Sequence, residues 1–199
     1  MNARRLVLLI AILVGPVIGP VDPVGSQPAD LVAQARQALD ARRFDEAIAL
    51  LERAVSADAK NPAALAWLGN AQVRKATSVE PMDAAGWVKR GFDTLDEAVE
   101  RFPDAFVVHL VRGITAANVP EMFCKAPVAA KDLGTVLTMR DAKAGTVPEA
   151  VMPAAYLNLG RAHKQNRQPA EARAVWQKGR ALYPAAPEAE TIARELRGL

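Results

Sequence analysis

Residues 171–189 read EARAVWQKGRALYPAAPEA. Ala172, Trp176 and Gly179 stand four and then three residues apart, an order of small, large, small. Those spacings stack on one face of a helix. The pattern recurs. Residues 46–64, EAIALLERAVSADAKNPAA, place Ala47, Leu51 and Ala54 in the same order. Residues 87–106, WVKRGFDTLDEAVERFPDAF, place Gly91, Leu95 and Ala98 there. Small residues let a neighbouring helix approach, and the large one fills the gap. A helix with such a face needs a partner helix, so the recurring unit is a helical hairpin.

The partner helices lie upstream. Residues 62–73 (PAALAWLGNAQV) and 153–163 (PAAYLNLGRAH) share Leu-Gly at one offset from a proline, as Leu68–Gly69 and Leu159–Gly160, with a shorter echo at Arg112–Gly113. Glycine costs about 1 kcal/mol in a helix interior, so its recurrence points to close helix–helix contact. Asn61–Pro62 reads as an N-cap followed by a first helical residue, and Pro153 and Pro187 mark further starts.

This arrangement resembles the tetratricopeptide repeat (TPR) proteins, whose unit is a 34-residue helix–turn–helix with W-x2-L-G-x2-Y, A-x3-F, A and P as its signature. From Ala35 to Gly69 is 34 residues. In residues 153–186, Tyr156, Leu159, Gly160, Ala172, Trp176, Gly179 and Pro184 all fall at signature positions. In residues 28–61, Leu31, Ala35, Ala47, Leu51 and Ala54 do so, and Ala59 replaces the terminal proline. The resemblance covers residues 28–199. It implies an all-α, TPR-like right-handed superhelix of about four helical hairpins, closed by a C-terminal capping helix. In that last helix Ala189, Ile192, Ala193 and Leu196 form an apolar stripe, and Glu188, Glu190, Arg194, Glu195 and Arg197 form a charged face expected to meet solvent.

The period stretches in the middle. Gly69 to Gly113 is 44 residues and Gly113 to Gly160 is 47. The extra residues are expected as loops around 75–84 (KATSVEPMDA), 119–128 (VPEMFCKAPV) and 141–152 (DAKAGTVPEAVM). Insertions in repeat proteins map to loops that carry function.

Residues 1–26 have a different character. Arg4 and Arg5 precede the apolar run Leu6–Val14, and Val24-Gly25-Ser26 offers small residues for cleavage before Gln27. This is the form of a secretory signal peptide. It predicts a periplasmic or secreted bacterial protein whose single domain is residues 27–199. The other reading is an uncleaved membrane anchor, although the run is shorter than the roughly 20 residues a spanning helix needs.

The chain is 199 residues long and 51% hydrophobic, enough to bury a core, and only 5% aromatic. No extended run alternates with period two, so no sheet is expected. The chain carries 25 basic and 22 acidic residues, of which only Arg4, Arg5 and Asp22 lie in the leader. That balance lacks the dense basic patch of a nucleic-acid binder. Cys124 is the single cysteine, so there is no internal disulfide.

No catalytic motif, metal-ligand spacing or cofactor-binding loop is present. His109, on the helix at 107–117, could approach Cys124 through the loop. Such a pair suits a metal or a nucleophile, against the plainer reading of a packed thiol and a structural histidine. His163 occupies the signature's tyrosine position and reads as packing. In the loop at 119–128, Met122 and Phe123 are apolar where polarity is expected, so they either plug the solenoid or contact a partner or ligand.

The resemblance also implies a concave face built from positions 2, 5, 9, 12 and 13 of each hairpin's first helix. Carried over, these are Arg36 and Asp40, then Ala66, Asn70 and Arg74, then Leu110, Ile114 and Asn118, then Leu157, Arg161, Lys164 and Gln165. Asn70 and Arg74 partly match grooves that grip a peptide carboxylate, but Ala66 stands where such grooves place a lysine. Arg36, Asn70, Arg74, Asn118, Arg161 and Lys164 are the candidate groove contacts to a peptide or protein. The expected function is a non-enzymatic, exported interaction scaffold, without a cofactor. The alternative is a periplasmic small-ligand-binding protein with a pocket between the middle insertions and the groove.

Overall fold

A computed structural model describes residues 27–199. The expected leader at 1–26 lies outside the described residues, which contain helices and no strand. The helices are α1 (Pro28–Asp40), α2 (Phe44–Ala57), α3 (Pro62–Lys75), α4 (Pro81–Arg101), α5 (Phe106–Ala117), α6 (Ala126–Ala142), α7 (Met152–Gln165), α8 (Pro169–Leu182) and α9 (Glu188–Arg197). They pair as α1·α2, α3·α4, α5·α6 and α7·α8, and α9 packs on α7 and α8. These are the four hairpins and the cap that the repeat predicts.

Sequence chemistry starts the helices. Six of them, α1, α3, α4, α6, α7 and α8, carry proline in the first turn, where the missing N–H costs nothing and φ is already helical. The Asn61 side chain accepts from the Ala64 N–H at 3.1 Å, as an N-cap should. The two hairpins of regular length share one turn. Arg42 and Arg167 both adopt φ 59°, and the next residues, Arg43 and Gln168, donate backward to the carbonyls of Ala38 and His163 at 2.8 and 2.9 Å. A left-handed residue closing the helix with such a bond is a common helix end.

The small–large–small faces are the core. Ala47, Leu51, Ala54, Leu95, Ala98, Ala172 and Trp176 are fully buried. A fourth copy, Ala129, Leu133 and Val136 on α6, occupies the same spacing and is equally buried. Glycine is required where first and second helices cross. A Cβ on Gly69 would sit 2.7 Å from the Gly91 carbonyl oxygen, and one on Gly91 would sit 2.6 Å from that of Gly69. Gly113 faces Leu133 and Gly160 faces Trp176 in the same way.

The insertions differ from expectation. The segment at 75–84 is mostly helical. A short 3-10 turn at Ala76–Ser78 leads into α4, whose 21 residues begin at Pro81. Pro81 in the first turn and Asp83 beside the helix N-terminus favour that extension. The segment at 119–128 holds a 3-10 turn at Glu121–Phe123, with Cys124 left-handed at φ 51°, before α6 begins. The third, at 141–152, ends in a 3-10 turn at Glu149–Val151 that runs into α7. Val147 from this segment is buried. The carboxylate of Glu149 is held by Arg140 and by the Tyr183 hydroxyl, which keep it below the ordinary range. Burial and that carboxylate push Tyr183 up to about 12.

Among the described residues, no helix is long and apolar enough to cross a membrane.

Candidate functional site

Helices α3 and α5 lie side by side, and the start of α4 and the loop after α5 close over the space between them. The result is a cavity of about 500 Å³. Asn70, Val73 and Arg74 reach it from α3, and Leu110, Val111, Ile114 and Thr115 from α5. Asn118, Val119, Pro120 and Phe123 come from the following loop, and Ala84 and Val88 from α4. Part of the expected groove and part of the expected loop therefore line one cavity.

The sequence candidates divide. Asn70, Arg74, Asn118 and Phe123 are brought together in this wall. Met122 is not in it and is 82% exposed. The apolar loop turns only Phe123 inward, where it packs against the core around α4 and α5. Arg36 stacks its guanidinium 4.9 Å from the centre of the Trp67 ring, itself a wall residue. Ala66 and Leu157 are not groove residues. Ala66 is buried between hairpins, and Leu157 is buried in the cluster that includes Trp176 and Ile192 of α9.

Polar bonds run between successive first helices. The Asn70 Nδ2 donates to Thr115 Oγ1 at 2.8 Å, and the Thr115 hydroxyl donates to the Val111 carbonyl at 2.7 Å. The Asn118 Nδ2 donates to Asn158 Oδ1 on α7 at 2.7 Å, and Arg161 Nη1 approaches Asn118 Oδ1 at 3.4 Å. Arg74 is partly committed to structure. One Nη donates to the Leu39 carbonyl at 2.8 Å, and the guanidinium lies 5.6 Å from the Phe44 ring centre.

Arg161 and Lys164 line a second, more open depression with Asn118 and Gln165. Here the expectation for α9 is corrected. Glu195 is only partly exposed and turns back onto α7: it accepts from Arg161 Nε at 3.0 Å and from Lys164 Nζ at 3.2 Å. Partial burial would raise its pKa, but these two cations outweigh burial and hold it below the ordinary carboxylate value. Both candidate cations thus already have an anion.

Of the two readings of His109, the structure holds the structural histidine and not a pairing with Cys124. His109 Nδ1 lies 3.0 Å from Asp132 Oδ1 and Nε2 lies 2.9 Å from the Pro103 carbonyl. Both partners offer acceptor oxygens, so the surroundings favour the doubly protonated ring. Hydrogen bonding to Asp132 raises the His109 pKa against the opposing effect of burial. Cys124 is exposed, with Sγ directed 3.8 Å from the Met122 carbonyl. Arg112 donates to Asp132 through Nε at 2.6 Å and Nη2 at 2.9 Å, and to Asp96 through Nη1 at 2.8 Å. Burial acts to raise the pKa of Asp132, yet His109 and Arg112 bring it below its usual value. This buried cluster ties α4, α5 and α6 together, and none of its members lines the cavity. Among the described residues no group of three or more His, Cys, Asp or Glu side chains is placed to hold a metal. His163 Nδ1 donates to Gln168 Oε1 at 3.0 Å and so braces the α7–α8 turn.

Two comparisons bear on these features. Residues 32–91 match the tetratricopeptide repeat family. A crystal structure of a thermophilic TPR protein from Thermus thermophilus is similar in fold, with a TM-score of 0.51 at 17% identity, over 86% of this chain and 100% of that one. No curated protein matches the sequence.

Proposed function

The chain is a tetratricopeptide repeat protein, a fold that serves in general as a protein-interaction scaffold, and from that premise we propose that it holds a peptide segment of a partner protein along the first-helix face. The observation that carries this reading is the convergence of Asn70, Ile114, Asn118 and Phe123 on one cavity between α3 and α5. Apolar lining with a few fixed polar groups is the usual composition of a binding site. The contacts centre on that cavity. Arg161 and Lys164 contribute only where a partner carboxylate displaces Glu195.

The protein is exported, with residues 1–26 acting as a leader removed before Gln27, and works in the periplasm or outside the cell without catalysis of its own. A charged n-region and a short apolar run support that part. The amino-terminal sequence of the natural protein tests it: a chain that retains Met1 or the apolar run refutes cleavage.

Selection of displayed peptides on the purified protein tests the scaffold reading. Selected peptides bind the wild type and lose at least about tenfold in affinity to Ile114→Lys, which places a charge in the cavity wall. Peptides that bind the folded variant equally well place the site elsewhere. A second reading is a small-ligand-binding protein. The cavity favours it, because about 500 Å³ lies within the usual range of small-molecule sites. Native mass spectrometry of the purified protein decides for it if a small molecule co-purifies and is lost in Ile114→Lys.

A further inference from the structure

We propose that the partner segment is bipartite: large apolar side chains fill the cavity, and an acidic side chain about three residues away takes the place of Glu195 on Arg161 and Lys164. The inference rests on the peptide-binding reading above. The cavity sets the apolar part. Val73, Leu110, Ile114, Val119 and Phe123 are among the apolar residues that dominate its wall. The amide, hydroxyl and guanidinium groups there bond within the protein. Asn70 and Thr115 join each other at 2.8 Å. Thr77 and Asn118 donate to the carbonyls of Arg74 and Ile114 at 2.8 and 2.7 Å, and Arg74 donates to that of Leu39 at 2.8 Å. A peptide main chain brings an N–H and a C=O with every residue, and each needs a partner. The main chain therefore stays outside, and only apolar side chains enter. At roughly 30 Å³ per heavy atom, the share of a water molecule in the liquid, a cavity of about 500 Å³ holds about sixteen atoms, more than any one side chain.

The adjoining depression sets the acidic part. It holds Arg161 and Lys164, and it shares Asn118, Val119 and Pro120 with the cavity as a common wall. Arg161 Nη1 comes within 3.4 Å of the Asn118 amide, so the cations begin where the cavity ends. Helices α5 and α7, which carry the two parts, are in contact. Packed helices lie about 8–10 Å apart, a span that an extended chain crosses in about three residues. The depression already holds a carboxylate, because Glu195 accepts from both cations. The other acid that lines it, Glu121, is exposed to solvent. Ion pairs as accessible as those of Glu195 are weak, so exchanging one carboxylate for another costs little. Glu195 is thus an intramolecular competitor, and the partner's acid adds selectivity more than affinity.

The test is selection from a random displayed-peptide library on the wild type and on Glu195→Gln, followed by calorimetry with one selected acidic peptide and its glutamine analogue. The expected result on both proteins is enrichment of a pair of large apolar residues. On Glu195→Gln an acidic residue is also enriched at one fixed place, about three residues from that pair. The acidic peptide binds Glu195→Gln about fivefold more tightly than the wild type, and the analogue binds both alike. An acid enriched at no fixed place, or not at all, overturns the bipartite segment, and so does an equal gain for both peptides. Selection on the wild type needs no variant to fold, and selected peptides without large apolar residues overturn the apolar part. In each of these cases the peptide-binding reading still stands if the selected peptides lose binding to Ile114→Lys. A library that yields no peptide on either protein overturns both.

Discussion

Gly160→Ala is expected to destabilise the protein by about 2 kcal/mol, although alanine is the better helix former. Gly160 lies under the indole of Trp176, which is fully buried. A methyl group built there meets Nε1, Cε2 and Cδ1 of that ring, the last at 2.5 Å. The ring cannot simply retreat. Its Nε1 donates to the Leu157 carbonyl at 2.9 Å, and Leu157, Ala172 and Ile192 pack around it. Overpacking of this kind costs about 1–3 kcal/mol. Loss of the indole hydrogen bond adds about 1 kcal/mol, and the helix propensity of alanine returns about 1 kcal/mol. For a chain of this size 1 kcal/mol moves the melting temperature by about 2–4 °C, so the expected drop is about 4–8 °C. Gly134→Ala is the matched control. A Cβ there meets no heavy atom within 4 Å, so the same change in the middle of α6 should stabilise, by up to about 1 kcal/mol. Thermal and denaturant unfolding followed by circular dichroism reads both. If Gly160→Ala melts at or above the wild-type temperature while Gly134→Ala is stabilising, the close glycine–tryptophan crossing is wrong.

Three further outcomes follow from the side chains described. The raised pKa of His109 means its contribution to stability is complete below about pH 6.5 and is lost as pH rises through the folded value. The lowered pKa of Asp132 means its contribution is complete above about pH 4 and is lost as pH falls through the folded value. Denaturant midpoints across this range should therefore peak between those limits, His109→Gln should remove the alkaline decline, and Asp132→Ala should cost about 3–5 kcal/mol by removing the buried carboxylate that His109 and Arg112 share. Glu195→Gln should cost no more than about 1 kcal/mol, and should strengthen binding of acidic peptides by freeing Arg161 and Lys164, measured by calorimetry; unchanged binding would remove those two cations from the site. Met122→Ser should leave stability within about 0.5 kcal/mol, whereas Phe123→Ala, at a half-buried position, should cost about 2 kcal/mol; equal melting curves would show that the loop does not fold Phe123 inward.

The repeat register was legible because it rests on spacing within single helices. Ala47–Leu51–Ala54 and Ala172–Trp176–Gly179 identify a buried face without knowledge of what covers it. The copy on α6 escaped because Val136 stands where the second small residue belongs. A trace of the buried cluster was also present: Asp132 falls on the apolar stripe of α6, between Ala129 and Val136, and a carboxylate in that position requires a partner. Its partners were not legible. His109 and Arg112 lie 23 and 20 residues away on another helix. The loop cysteine, closer in sequence to His109, misled the pairing.

Sequence alone thus determined the helices, their pairing into hairpins and the glycines at their crossings. These follow from periodicity and from side-chain size over a few turns, which a linear chain records. Only the tertiary structure decided which polar groups meet. It set Glu195 of the cap on Arg161 and Lys164, and it joined Asn70 of α3 to Thr115 of α5. It also brought part of the expected groove and part of the expected loop to one cavity, because α3, α5 and the stretch around Phe123 converge in space. Such meetings depend on how one hairpin is set against the next, to within an ångström or so, and no local spacing along the chain encodes that.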